Sequence, residues 1–146
     1  MSQWLRQQWN LGLPLAMRGL QAALDAAAQR QVRVSIVLVD AGGMPLHSAH
    51  MDGAPPQAQA IAQRKALTAL GFGIPTADWH ARLAQCSEAV RSGLPLQPDM
   101  ALFGGGEPLH HQQQIIGAIG VSGASEALDT LCAKAAVEQI ARLLQD

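Results

Sequence analysis

The side chains best suited to chemistry in this 146-residue chain are five histidines, His47, His50, His80, His110 and His111, and one lysine, Lys65, set in an apolar run. Histidine titrates near neutral pH and ligates metals, so each could carry a proton or hold an iron. Spacing limits their cooperation. His47 and His50 differ by three, which on a strand turns them to opposite faces, and the adjacent His110 and His111 also diverge, so neither pair grips one ion. The chain has no helical His-Glu-x-x-His arrangement. At each histidine, surface or structural placement competes with a role as axial iron ligand or proton carrier.

Lys65 is one of only two lysines beside eight arginines and lies in Lys-Ala-Leu-Thr-Ala. It could neutralise a ligand carboxylate, with the Thr68 hydroxyl one turn onward. Equally, it could snorkel to a protein carboxylate such as Asp52. Gly104-Gly105-Gly106 reads either as a tight corner or as a backbone anion nest, and it lacks the Lys-Ser/Thr ending of a phosphate loop. The Gly-x-x-Gly-x-x-Gly run from Gly117 to Gly123 sits inside a strand pattern, which rules out a dinucleotide fingerprint. Ser122 has no sequence signal for an activating base. Cys86 and Cys132 have neither metal nor redox spacing and read as reduced thiols.

The element that must position these residues is the β-branched run of residues 115–123, read as the central strand. Gly117 and Gly120 inside it weaken a strand, so their role is close approach of another backbone or a ligand. The run delivers the chain to a turn and a long helix that Ser125 can cap, with Leu128, Leu131, Ala135, Ile140 and Leu143 inward and Lys134, Glu138 and Arg142 as a solvated ridge. Upstream, residues 14–30 form an amphipathic helix with Leu13, Leu20, Leu24 and Ala27 on one face. Strands at 32–39 and 44–51 make a hairpin. Helices follow over 57–71 and over 76–90, the second capped by Thr76. Strands at 100–103 and 107–111 flank the glycine corner. The expectation is an α+β domain with a five-stranded, mostly antiparallel sheet carrying helices on one face, the other face being free for subunit packing.

Length fits one domain with its own core. Only 14% of residues are charged, against a usual quarter, which suggests surface buried between copies of the chain. A net charge of -1 with no basic run excludes nucleic acid as the main partner. The start lacks signal-peptide character, and no apolar stretch approaches the ~20 residues of a membrane span, so the expected compartment is the cytoplasm. Residues 1–13, with Trp4, Leu5 and Trp9 among glutamines, read as an N-terminal arm on the domain of residues 14–146, covering that domain or a neighbouring subunit.

Several segments in order resemble one family: Val39-Asp40-Ala41-Gly42-Gly43, His50-Met51-Asp52-Gly53-Ala54-Pro55, Lys65-Ala66-Leu67-Thr68-Ala69, Pro75-Thr76, Gly105-Gly106-x-Pro108-Leu109 and Gly117-Ala118-Ile119-Gly120-Val121-Ser122-Gly123. They are similar to the GlcG/HbpS family of haem-binding-like proteins, from about residue 14 to the C-terminus. The resemblance implies a profilin-like α+β domain that forms homo-oligomers, often octamers. Relatives include a haem-sensing protein, a protein of glycolate utilisation operons, and domains of cobalamin adenosyltransferases of diol utilisation. Position 50 is histidine where the family usually shows arginine, and residues 14–30 lack the histidine that some haem-binding relatives place there. The reading that follows is an oligomeric small-molecule or cofactor-binding protein, with a tetrapyrrole, haem or a corrinoid, as the leading ligand class. Its ligand set is Asp52, Lys65, Thr68, Gly105, Gly106 and Ser122, with His50 as the axial candidate. The alternatives are an accessory subunit that serves a partner enzyme of diol, glycerol or glycolate utilisation, and an enzyme acting on a small organic acid.

Overall fold

The Val and Ile runs that read as buried strands pair with one another at the centre of the molecule. In the computed structural model, which describes residues 2–145, the elements are α1 (Leu13–Gln29), β1 (Ser35–Asp40), β2 (Pro45–His50), α2 (Ala58–Phe72), a 3-10 turn (Thr76–Asp78), α3 (Trp79–Ala84), α4 (Glu88–Gly93), a second 3-10 turn (Leu94–Leu96), β3 (Gly106–His111), β4 (Gln114–Ser122) and α5 (Glu126–Leu144). The sheet order is β2-β1-β4-β3, and every neighbouring pair is antiparallel. β1 and β4 are central.

Alternation along β1 sends Ile36 and Leu38 to one face and Val37 and Val39 to the other, and both faces are covered. On the first face, α1 and α5 bring Ala16, Leu20, Ala23, Ala27, Ala133, Ala136 and Ile140 against the sheet. On the second, α2 brings Ala62, Ala66 and Ala69. The expectation of helices on one face is therefore corrected: a strand apolar at every position needs cover on both sides. Each fully buried Val, Ile or Leu of this core contributes roughly 1.5–3 kcal/mol.

The α2 contact is backbone to backbone. Gly120 pairs with Gly106 across β4 and β3. A Cβ on Gly120 would strike the Ala62 carbonyl, and one on Gly106 would strike the Lys65 carbonyl. The sequence-based inference of close approach at Gly120 holds, and the approaching backbone is α2.

The sheet has four strands and not five. Residues 100–103 are irregular because the backbone here bonds elsewhere: Ala101 N donates to Thr68 Oγ1 at 2.9 Å, and Gly104 N, just beyond the segment, donates to Glu126 Oε1 at 2.8 Å. The helix expected over 76–90 is broken, since Ser87 adopts an extended backbone and its hydroxyl accepts from Val90 N to start α4 afresh. Thr76 does not cap a helix. Its Oγ1 accepts from Gly106 N at 2.8 Å, tying this turn to β3.

Two helix faces also shift. Leu13 is exposed, and the buried stripe of α1 is Ala16, Gly19, Leu20, Ala23 and Ala27. On α5 the buried stripe is Asp129, Cys132, Ala133, Ala136 and Ile140, so of the five residues expected inward only Ile140 is fully buried. The N-terminal arm lies on its own domain over residues 8–11: Leu11 N donates to the Ile116 carbonyl at 2.9 Å, and Gln8 Nε2 to the Ile115 carbonyl at 2.9 Å. Trp4 and Leu5 beyond it are exposed. Among the described residues no helix is long and apolar enough to cross a membrane.

Candidate functional site

Lys65 leaves α2 one residue from Ala66, whose neighbours are small enough for the helix to sit close to the sheet, and its side chain passes the Gly105-Gly106 corner. A Cβ at Gly105 would lie 2.8 Å from Lys65 Nζ, so the corner must be glycine to let the lysine through. Nζ donates to the Val121 carbonyl at 2.9 Å and to Asp129 Oδ2 at 3.1 Å. The Phe103 ring covers the ammonium with its centroid 4.9 Å away. Lys65 is 1% exposed and Asp129 2%. Burial pushes both partners toward their neutral forms, lowering the lysine and raising the acid, while their mutual attraction opposes it. Asp129 Oδ1 also accepts from Ala124 N at 3.0 Å.

Of the two readings of Lys65, pairing with a protein carboxylate is the one observed, with Asp129 in place of Asp52. Gly105, Gly106 and the Val121 carbonyl of β4 lie around the Lys65 side chain. Thr68 points elsewhere: its Oγ1 lies 2.7 Å from the Arg64 carbonyl, 3.0 Å from the Asp99 carbonyl and accepts from Ala101 N. The hydroxyl thus holds the 99–101 segment on α2. Ser122 is buried opposite Ser35 in the β1–β4 register, and its hydroxyl bonds to no described histidine, lysine or carboxylate.

His50 and Asp52 lie together in a different place. They line a groove of about 650 Å³ with Leu24, Val32, Arg33, Ala49 and Met51, where the C-terminal half of α1 faces the end of β2. His50 is exposed, and its Nε2 donates to the Ala54 carbonyl at 3.2 Å. A carbonyl only accepts, so the bond needs a hydrogen on Nε2, and in the neutral imidazole Nδ1 then keeps its lone pair, as metal-ligating histidines are commonly held. The other histidines scatter: His47 is on β2, His80 on α3, and His111 meets the Trp9 ring edge-on at 5.5 Å. Among the described residues no three of His, Cys, Asp or Glu could hold a metal ion together.

Three groups escaped the sequence reading. Asp129 is an acid on the buried stripe of α5, visible only once that stripe is known. Glu107 on β3 is 6% exposed, its Oε2 has no partner among the described residues, and burial pushes its carboxyl up to about 7. A second cleft, of about 450 Å³, is lined by His80, Leu83, Arg91, Leu102, Phe103 and Glu126. It depends on the α3–α4 break and the irregular 102–103 segment, which no periodicity announces.

Comparison with known proteins gives this arrangement a lineage. The chain is 31% identical over 141 residues to an uncharacterised 15.0 kDa protein of the dhaT-dhaS intergenic region of Citrobacter freundii, covering 92% of this chain and 94% of that protein. It is 31% identical over 127 residues to the corrinoid adenosyltransferase PduO of Salmonella typhimurium, covering 82% of this chain but 36% of PduO, so it spans about a third of that protein. Among solved structures, a double mutant of Streptomyces reticuli HbpS superposes with a TM-score of 0.84 at 34% identity, covering 94% of this chain and 92% of that one. A PduOC–haem complex superposes with a TM-score of 0.81 at 30% identity, covering 89% and 94%. With residues 11–138 matching the family described as haem degrading protein HbpS-like, the four-stranded α+β domain built here belongs to the HbpS-like family.

Proposed function

We propose that this protein binds a tetrapyrrole, haem first and a corrinoid second, in the groove between α1 and the end of β2. One observation carries the reading: an exposed imidazole, His50, stands on an apolar wall of Leu24, Val32, Ala49 and Met51 beside the Arg33 guanidinium. A flat apolar ring needs such a wall, its carboxylates need a cation, and an iron needs an axial donor. His50 Nδ1 is the donor and Arg33 the cation, so Arg33 takes the part first assigned to Lys65, whose ammonium is already bonded. Asp52 marks the rim. The PduOC–haem complex among the structural neighbours supports the ligand class. Self-association belongs to the same reading, supported by exposed apolar side chains such as Trp4 at 84% and Leu96 at 82%.

Titration of the purified protein with haem tests this. A saturable absorbance shift is expected, altered in band position by His50→Ala and unchanged by His80→Ala. A linear titration without saturation, or a spectrum indifferent to His50→Ala, would overturn the assignment and turn attention to an accessory subunit sought by partner pull-down. A parallel titration with cobalamin separates haem from a corrinoid, and light scattering at micromolar concentration reads the oligomer.

A further inference from the structure

The cleft between α3, α4 and residues 102–103 shares no residue with the His50 groove. Its volume of about 450 Å³ falls within the roughly 300–1,000 Å³ of small-molecule sites. Leu83, Leu102 and Phe103 give it an apolar wall. The Phe103 ring is held from behind by the Lys65 ammonium and is nevertheless 43% exposed.

Two opposite charges line this wall without pairing. The only ion pair among the described residues is Lys65–Asp129, so Arg91 and Glu126 do not reach one another within 4.0 Å. Each is anchored through part of its head group: Arg91 Nη1 donates to the Cys86 carbonyl at 2.5 Å, and Glu126 Oε1 accepts from Gly104 N at 2.8 Å. The remaining guanidinium donors and Glu126 Oε2 make no hydrogen bond within the described chain. The Lys65 ammonium behind Phe103 is already bonded to Asp129 and also feels the Glu126 charge, and the cleft itself is lined by one held cation, Arg91, one held anion, Glu126, and the His80 imidazole beside a shared apolar surface.

The geometry points to a second ligand site that takes a small zwitterion with an apolar body, an amino acid with an aromatic or branched side chain. The carboxylate pairs with Arg91, whose planar fork suits it, the ammonium pairs with Glu126, and the side chain lies on Leu83, Leu102 and Phe103. A plain organic anion would leave Glu126 facing it with nothing to accept, and a plain amine would leave Arg91 unmatched.

Calorimetric titration of the full chain with three probes tests the site: phenylalanine, 3-phenylpropionate, which lacks the ammonium, and phenethylamine, which lacks the carboxylate. Phenylalanine is expected to bind saturably and at least tenfold more tightly than either analogue. Arg91→Gln should remove its advantage over phenethylamine, and Glu126→Gln its advantage over 3-phenylpropionate. Circular dichroism confirms that both variants keep the fold. Equal affinity for phenylalanine and 3-phenylpropionate, no saturation with phenylalanine, or indifference to Arg91→Gln would overturn the proposal. His50→Ala should leave the titration unchanged, so this site and the tetrapyrrole groove stand or fall separately.

Discussion

Lys65 and His50 are both polar residues in segments that resemble one family, yet the fold treats them in contrasting ways. The lysine is sealed between α2, β4 and α5, with a carbonyl, a carboxylate and an aromatic ring on its ammonium. The histidine stands at the end of β2, exposed, with one ring nitrogen used and the other free for a ligand. A buried charge must be compensated by the protein itself, which consumes its chemistry, whereas an exposed group on an apolar groove keeps its own. Motif membership therefore distinguishes residues that build the fold from residues that serve a ligand only after burial is known.

The largest test of this contrast is at the closed region. Gly120→Val is expected to abolish folding, because even a Cβ there meets the Ala62 carbonyl of α2. Gly106→Ala, which meets the Lys65 carbonyl, should cost less but is not benign, on the order of 1–3 kcal/mol for overpacking. Circular dichroism and melting of the two variants measure the difference, and matching wild-type melting for either would show that α2 does not sit on the glycine pair.

Next in size, Lys65→Met leaves Asp129 as a buried, uncompensated carboxylate and should destabilise by about 3–5 kcal/mol. Replacing Asp129 with leucine in the same chain should recover most of that loss in urea unfolding. If the double variant is no more stable than the single one, the pair is not the determinant.

Glu107 makes a pH-dependent prediction. Its folded carboxyl is raised to about 7 from 4.5, so the native state holds its proton longer than the unfolded chain. The unfolded state binds fewer protons across that window, and stability therefore falls as pH rises from 4.5 toward 7, by about 3 kcal/mol at 1.36 kcal/mol per pKa unit. Glu107→Gln should flatten this slope, which urea midpoints at pH 5 and pH 8 would read.

The smallest effect belongs to the open region. His50→Ala removes an exposed ring and a single hydrogen bond, so it should change stability by no more than about 0.5 kcal/mol while altering the haem spectrum. A large loss of stability would place His50 with Lys65 among the structural residues.

Local chemistry in the sequence determined the three long helices, the 40–43 hairpin turn, the central glycine-bearing strand and the Ser125 cap, because each is set by periodicity, turn residues or capping within a few positions. The family followed from short motifs in order. What only the tertiary structure decided are pairings between distant segments. Residues 100–103 pair with no strand, since the Thr68 hydroxyl takes the Ala101 backbone donor and Glu126 takes that of Gly104 just beyond them. Lys65 found Asp129, 64 residues away, and not the nearby Asp52. The groove around His50 exists because α1 passes the end of β2, and the cleft around Phe103 because Ser87 restarts a helix beside a glycine corner. Burial and partner choice are properties of the assembled layers: a residue's type states which interactions it can make, and the packing of α2 and α5 on opposite faces of one sheet selects which it does make.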